Sequence, residues 1–243
     1  MKTLVVTGAS SGIGAEIVKQ ASQSGWQVLM VARSQDKLEA LEKEFNNSKA
    51  FPADLSDSNS TNSLIKELQN YEVSALVNNA GIYQPNTVEK SDEDIWTKHF
   101  QINLMSAVRL TSGLWENLKK NNGSIVNISS TLAIRPIANT AAYSALKAAM
   151  NNWSQSLAIE GAPFGVKSNC VCPGIIDTPI HQFHQSQDPA MIEHFNNIQG
   201  AQPLGRTGKV TDIAPMVLQL CSPESGWTTG TIINVDGGIL LNS

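Results

Sequence analysis

The sequence predicts a single α/β domain built on a doubly wound parallel sheet. Three observations carry this reading. Short apolar runs rich in β-branched residues alternate with longer helical patterns along all 243 residues, the order that parallel strands joined by crossover helices require. The strands are apolar on both faces, as in Leu4-Val5-Val6, which suits a sheet covered by helices on both sides. No Pro- or Gly-rich linker and no internal repeat divides the chain, and its 41% hydrophobic residues suffice for one full core.

The elements follow in order. A first strand at 3–7 runs into a glycine turn and a helix at 13–24, and a second strand at 27–32 is followed by a helix at 36–45. A strand at 49–53 precedes a helix at 61–68, and a strand at 74–78 precedes a long helical stretch from 92 to 120. The apolar strand at 124–129 leads to an alanine-rich helix at 141–160, and strands at 167–171 and 231–235 bracket a last helix at 212–221. One segment, 179–204, breaks the alternation. It is rich in Gln, His and Asn and follows a strand, where doubly wound sheets bind ligands, so it is read as a substrate lid.

Composition excludes several classes. The net charge is -4 and the longest basic run is Lys119-Lys120, which argues against nucleic acid as a partner. No apolar run approaches the roughly 20 residues of a membrane span, and the glycines from Gly8 to Gly14 interrupt the apolar start before it reaches the length of a secretion signal. The three cysteines, Cys170, Cys172 and Cys221, form no paired framework and fit a reducing cytoplasm. Cys170 and Cys172 stand two apart in a strand, so they share one face and a core role.

The turn Gly8-Ala9-Ser10-Ser11-Gly12-Ile13-Gly14 lies between the first strand and the first helix. Glycine is needed where φ is positive or where backbone must approach a phosphate, and the helix amino terminus offers N–H groups and positive dipole to that phosphate. This predicts a dinucleotide site, although the spacing Gly-x-x-x-Gly-x-Gly departs from the Gly-x-Gly-x-x-Gly fingerprint. In NAD sites an acid about 20 residues on binds the adenosine ribose. Here the second strand ends Val31-Ala32-Arg33-Ser34, with no acid and with Arg33 able to fork onto a 2′-phosphate. The expected cofactor is therefore NADP(H), with NAD(H) also admitted.

Helical spacing places Tyr143 and Lys147 one turn apart on one face of Ala141-Ala142-Tyr143-Ser144-Ala145-Leu146-Lys147. A close ammonium is expected to pull the phenol pKa down from about 10 toward working pH, as general acid/base chemistry needs. Ser130 stands 13 residues upstream at the end of the apolar strand, where its hydroxyl can bond a substrate oxygen as charge develops. Strand alternation points the neighbouring Ser129 the other way.

Taken together, Thr7-Gly8-Ala9-Ser10-Ser11-Gly12-Ile13-Gly14, Asn78-Asn79-Ala80-Gly81, Asn103, Ser130, Tyr143 with Lys147, and Pro173-Gly174 followed by Thr178 resemble the short-chain dehydrogenase/reductase family in order and spacing. The resemblance implies a Rossmann-type domain with a seven-stranded sheet, NAD(P)(H), and an Asn-Ser-Tyr-Lys tetrad. By that resemblance Tyr143 exchanges the proton, Ser130 orients the substrate oxygen, Lys147 holds the nicotinamide ribose, and Asn103 holds a water that refills the proton. Asn79, Ala80 and Gly81 pass under the cofactor, while Pro173, Gly174, Ile176 and Thr178 meet the carboxamide. Asp54 with Leu55 resembles the adenine-contacting pair, although Asp54-Leu55-Ser56-Asp57 could equally be helix capping. One departure is Ser11, where many NADP(H)-using relatives carry a basic residue, so the cofactor preference rests on Arg33.

His181, His184 and His194 fall in the lid as surface or substrate-lining residues, and no metal site is expected. The expected substrate is a small carbonyl or alcohol compound. A 3-oxoacyl chain on a carrier ranks below a free ketone, aldehyde or sugar-like molecule, because the turn from Gly161 to Gly165 lacks a basic residue to meet an acidic carrier. The family resemblance implies a homotetramer, with a dimer as the alternative. Ile239-Leu240-Leu241 agrees, since three large aliphatics near a chain end are expected to need burial against a neighbour.

Overall fold

The computed structural model describes residues 2–181 and 202–242. The predicted lid lies mostly outside them, as do His184 and His194. Seven parallel strands form one sheet in the order β3-β2-β1-β4-β5-β6-β7: β1 Thr3–Thr7, β2 Gln27–Ala32, β3 Ser48–Pro52, β4 Val73–Asn78, β5 Ser124–Ile128, β6 Lys167–Pro173 and β7 Ile232–Val235. The helices are α1 Gly12–Gln23, α2 Gln35–Glu44, α3 Ser58–Leu68, α4 Glu93–Phe100, α5 Ser106–Gly113, α6 Trp115–Lys120, α7 Ala141–Gly161 and α8 Val210–Cys221.

Alternation along each strand builds two cores. Leu4 and Val6 of β1 join Val28 and Met30 against Ile17 and Val18 of α1, Leu38 of α2 and Ile213 and Val217 of α8. Val5 and Leu29 point the other way, to Leu64 and Leu68 of α3, Leu110 of α5, Leu118 of α6 and Leu157 of α7. Each such side chain, fully buried, contributes about 1.5–3 kcal/mol of transfer free energy. Cys170 and Cys172 are buried on one face, with Cys170 Sγ 3.9 Å from the Met150 carbonyl of α7 and Cys172 Sγ 3.8 Å from Asn151 Oδ1. Strand order reverses beside β1, between β2 and β4, so the crevice at the carboxyl ends of these strands is where this topology binds ligands.

The long helical stretch at 92–120 proves to be broken twice. Asp92 caps α4 by accepting from Ile95 N at 2.9 Å, but residues Gln101–Met105 form a π-helical turn before α5. A second break at Leu114, with φ -102 and ψ 5, separates α5 from α6. It follows Gly113, where a Cβ would lie 2.6 Å from the Ile65 side chain of α3. Helical periodicity registers neither interruption, because apolar spacing is nearly preserved across both. Among the described residues no helix is long and apolar enough to cross a membrane.

Candidate active site

The crevice begins at the glycine turn after β1. Thr7 Oγ1 accepts from the main-chain N–H groups of Asn79 and Ala80, both at 2.9 Å, and Asn79 Nδ2 donates to the Thr7 carbonyl at 2.9 Å. These bonds lock the first turn to the loop after β4. Gly8 has φ +64, and a Cβ there would sit 2.8 Å from Asn79 Nδ2, so both conformation and space demand glycine. A Cβ on Gly14 would run into the Gly8 carbonyl, which lets α1 start hard against the turn. The N-cap of α1, Ser11, makes no side-chain capping bond, so the first N–H groups of α1 are available to an anion.

A cavity of about 360 Å³ opens there. Gly8, Ser10, Ser11, Gly12 and Ile13 form one wall, Arg33 and Asp54-Leu55 line its outer end, and Asn79, Ala80, Gly81 and Thr178 its inner end. Arg33 is exposed at this rim, between Ala32 and Ser34. Asp54 accepts from Ser56 N at 2.9 Å and Ser56 Oγ at 2.7 Å, and these bonds, with a smaller effect from Arg33, hold its carboxyl below the usual range. The cap of α3 is Asp57, which accepts from Ser60 N at 2.6 Å, so the choice left open between capping and ligand contact falls to capping at Asp57 alone.

The first cavity shares Ile13, Asn79, Gly81, Thr178 and Ile180 with a second one of about 230 Å³. Ser130, Tyr143, Lys147, Pro173, Gly174 and Ile176 line this second cavity. Ser130 is the N-cap of the 3-10 turn Thr131–Ala133, accepting from Leu132 N at 3.1 Å. A hydroxyl has one proton and two lone pairs, so this bond leaves the Ser130 proton to donate. Ser129 also lines this cavity, but its hydroxyl donates to the Lys147 carbonyl of α7 at 3.2 Å.

Tyr143 is half-buried and meets the ring of Tyr83 edge-on, with centroids 5.1 Å apart at 81°. Lys147 is 3% exposed, donates from Nζ to the Ile128 carbonyl at 2.7 Å and lies 5.7 Å from the Tyr143 ring centroid. The expectation for the phenol is reversed here. Burial pushes Tyr143 up to about 12, against a smaller lowering by its bond to Ser130, and burial brings Lys147 down to about 8. One helical turn of spacing sets the separation of the two groups, but the ammonium is turned to a carbonyl, and desolvation sets the direction of the phenol's shift.

Asn103 does not line either cavity. It sits fully buried in the π-helical turn, where Oδ1 accepts from Ile82 N at 2.7 Å and Nδ2 donates to the Ile82 carbonyl at 3.0 Å. A Cβ on Gly81 would stand 3.0 Å from Asn103 Oδ1 and 3.7 Å from Lys147 Nζ, so the glycine keeps open the space between these side chains. π-turns of this kind cluster at functional sites.

Sequence reasoning did not single out Thr7 as a clamp, nor Tyr83, Ile102 and Ile180 as lining. Nor did it place the carboxyl-terminal apolar run beside the site. Residues Ile239–Leu241 form a 3-10 turn in which Ile239 and Leu240 are half-buried and line the second cavity, while Leu241 is 85% exposed.

Comparisons with known proteins agree with this geometry. A family model described as Enoyl-(Acyl carrier protein) reductase matches residues 8–240. The chain is 32% identical over 245 residues to the 3-oxoacyl-[acyl-carrier-protein] reductase FabG of Haemophilus influenzae, covering 99% of both. It superposes with a TM-score of 0.90 on an oxidoreductase of the short chain dehydrogenase/reductase family from Burkholderia thailandensis, at 29% identity and covering 99% of this chain and 93% of that one. It also resembles the L-sorbose reductase of Gluconobacter frateurii solved with NADPH and L-sorbose, with TM-score 0.91, 26% identity and coverage of 98% and 96%. Full-length matches of sequence and of fold, around a crevice that opens on a half-buried Tyr and a buried Lys, leave one conclusion: the chain belongs to the short-chain dehydrogenase/reductase family, oxidoreductases acting on CH–OH and C=O groups.

Proposed function

We propose that the protein is an NADP(H)-dependent oxidoreductase that moves a hydride between nicotinamide and the carbonyl or alcohol carbon of a small molecule, with Tyr143 as the general acid/base. The observation that carries this is the continuity of the two cavities: a cleft built for a phosphate and a ribose opens directly onto Ser130, Tyr143 and Lys147.

The residues fit such a cofactor. Gly8 and Gly12 keep the turn free of side chains, the start of α1, without a side-chain cap, would hold the pyrophosphate, and Arg33 at the rim would take a 2′-phosphate, with no acid at Ala32 to repel it. The dihydronicotinamide would supply the hydride in the reductive direction. Ser130, which accepts from Leu132 N on one lone pair and keeps its proton, donates to the substrate oxygen. Tyr143 is protonated at neutral pH, given its raised pKa, and delivers that proton to the same oxygen as charge develops. Lys147 faces the gap beside Gly81, from where it reaches the ribose hydroxyls. Each polar atom of Asn103 retains one further hydrogen-bonding capacity beyond Ile82, which accommodates the proton-refilling water. Pro173, Gly174, Ile176 and Thr178 complete the carboxamide end.

The test is a panel of ketones, aldehydes and the corresponding alcohols, followed by the absorbance change of NADPH and NADH. Turnover with at least one carbonyl, faster with NADPH than with NADH, is the expected result, and absence of coenzyme oxidation across the panel refutes the proposal. A homotetramer in a cytoplasmic setting accompanies this reading, on the strength of the family resemblance and of the exposed Trp227 and Ile159.

A further inference from the structure

The second cavity has a mixed lining. Ser130, Tyr143, Lys147 and Arg135 contribute polar groups, while Tyr83, Leu132, Ile137, Ile239 and Leu240 contribute apolar surface. Two of these come from the turn Ile239–Leu241, more than a hundred residues from Ser130 in sequence, so something must hold that turn in place.

Both of its ends are fastened. Gly237 and Gly238, with φ +62 and +85, reverse the chain after β7. Asp236 then accepts from Gly238 N through Oδ1 at 3.0 Å and from Leu240 N through Oδ2 at 3.2 Å. At the other end the guanidinium of Arg135 donates from Nη2 to the Ile239 carbonyl at 2.9 Å and from Nη1 to the Asn242 carbonyl. A cation on the free carbonyls at the end of a helical turn is favourably placed. Arg135 is itself tied to the catalytic loop, its N–H donating to the Thr131 carbonyl at 2.9 Å, one residue past Ser130. The guanidinium thus bridges the loop that carries the oxygen-orienting serine and the turn that carries the apolar wall.

We propose that Arg135 is a positioning residue that clasps the 239–241 turn across the substrate cavity, so that Ile239 and Leu240 form an apolar wall selecting a carbonyl compound with an aliphatic arm. This rests on the reading of the site as a carbonyl reductase. It sets a hydrophobic ketone ahead of a sugar-like substrate, because the hydroxyls of a polyol arm packed on Ile239 and Leu240 would find no partner on those side chains, and Arg135 alone in this part of the wall could bond them.

The experiment compares 2-butanone and 2-octanone as substrates of the full chain with NADPH. The unmodified protein should favour 2-octanone by about three- to fourfold in kcat/KM for each methylene that reaches the wall. Arg135→Ala should cut that preference on the order of tenfold, equivalent to about two methylenes losing contact, through a higher KM for 2-octanone. Arg135→Lys, which keeps a cation at the carbonyls, should recover part of it, and Leu240→Ala should reproduce the loss with the clasp intact. NADPH affinity, measured by fluorescence, reports that each variant is folded. An unchanged preference in folded Arg135→Ala overturns the clasp, and so does an unchanged preference in Leu240→Ala if Arg135→Ala fails to fold. Equal use of both ketones by the unmodified protein overturns the apolar wall and leaves the reductase reading standing. No NADPH oxidation with any carbonyl removes that reading and this proposal together.

Discussion

Lys147 gives the sharpest physical prediction. Its ammonium is buried, and desolvation moves its pKa from 10.5 to about 8. Unfolding returns it to water. Between those values the unfolded chain holds a proton at this site that the native chain has released, so its contribution to stability rises with pH by up to about 1.4 kcal/mol per unit. The native protein bears the full cost of the buried ammonium below pH 8, and the slope flattens there. Buried thiols act with opposite sign: burial raises Cys170 and Cys221 from 9.0 to about 12 and raises Cys172 as well. In the native state they keep protons that unfolded thiols lose, so they subtract stability as pH rises through 9, and they mask Lys147 in the unmodified protein alone. Lys147→Met, similar in length and without charge, isolates it. Urea unfolding of both proteins from pH 7.5 to 9.5 should show the unmodified protein gaining about 2 kcal/mol relative to the variant across that range. Parallel stability curves would mean that Lys147 is solvated or ion-paired in the native state, and the account of the site's electrostatics would fall with them.

Three further outcomes follow from the crevice. NADPH should bind more tightly than NADH, and Arg33→Ala should narrow the gap by about 1.5–3 kcal/mol, the scale of a charge-assisted hydrogen bond; equal affinities in the unmodified protein, by fluorescence titration, exclude a phosphate contact. Thr7→Val removes the acceptor for the Asn79 and Ala80 N–H groups and should lower stability by about 1–3 kcal/mol in chemical denaturation while weakening cofactor binding; a silent variant shows that the two loops hold their register without the clamp. Light scattering should give a tetramer of the 26.1 kDa chain, and a monomer at micromolar concentration rules out both tetramer and dimer.

What was legible in the sequence is what local geometry determines. The glycines after β1 announce their turn because Gly8's positive φ coincides with a place where a Cβ would lie 2.8 Å from Asn79 Nδ2, and helical spacing alone puts Tyr143 and Lys147 on one face. Strand alternation separates the two hydroxyls, that of Ser129 donating into α7, although both residues line the cavity. The direction of the Tyr143 shift was not legible, because spacing fixes a separation and says nothing about how much water the fold removes. Nor was the π-helical turn at Asn103: it depends on a side chain reaching the backbone of Ile82, 21 residues away, with no local pattern to mark it. The place of the carboxyl-terminal run was not legible for a related reason: a contact with Arg135 across 104 residues holds Ile239 and Leu240 at the chain's own cavity.

The central claim is that Tyr143 carries the proton. It is tested most directly by Tyr143→Phe, which keeps the ring against Tyr83 and removes only the hydroxyl, assayed by NADPH oxidation with the best carbonyl of the panel alongside NADPH affinity. The account predicts unchanged cofactor binding and turnover lower by roughly 10²- to 10⁴-fold, whereas turnover at the unmodified rate would contradict it.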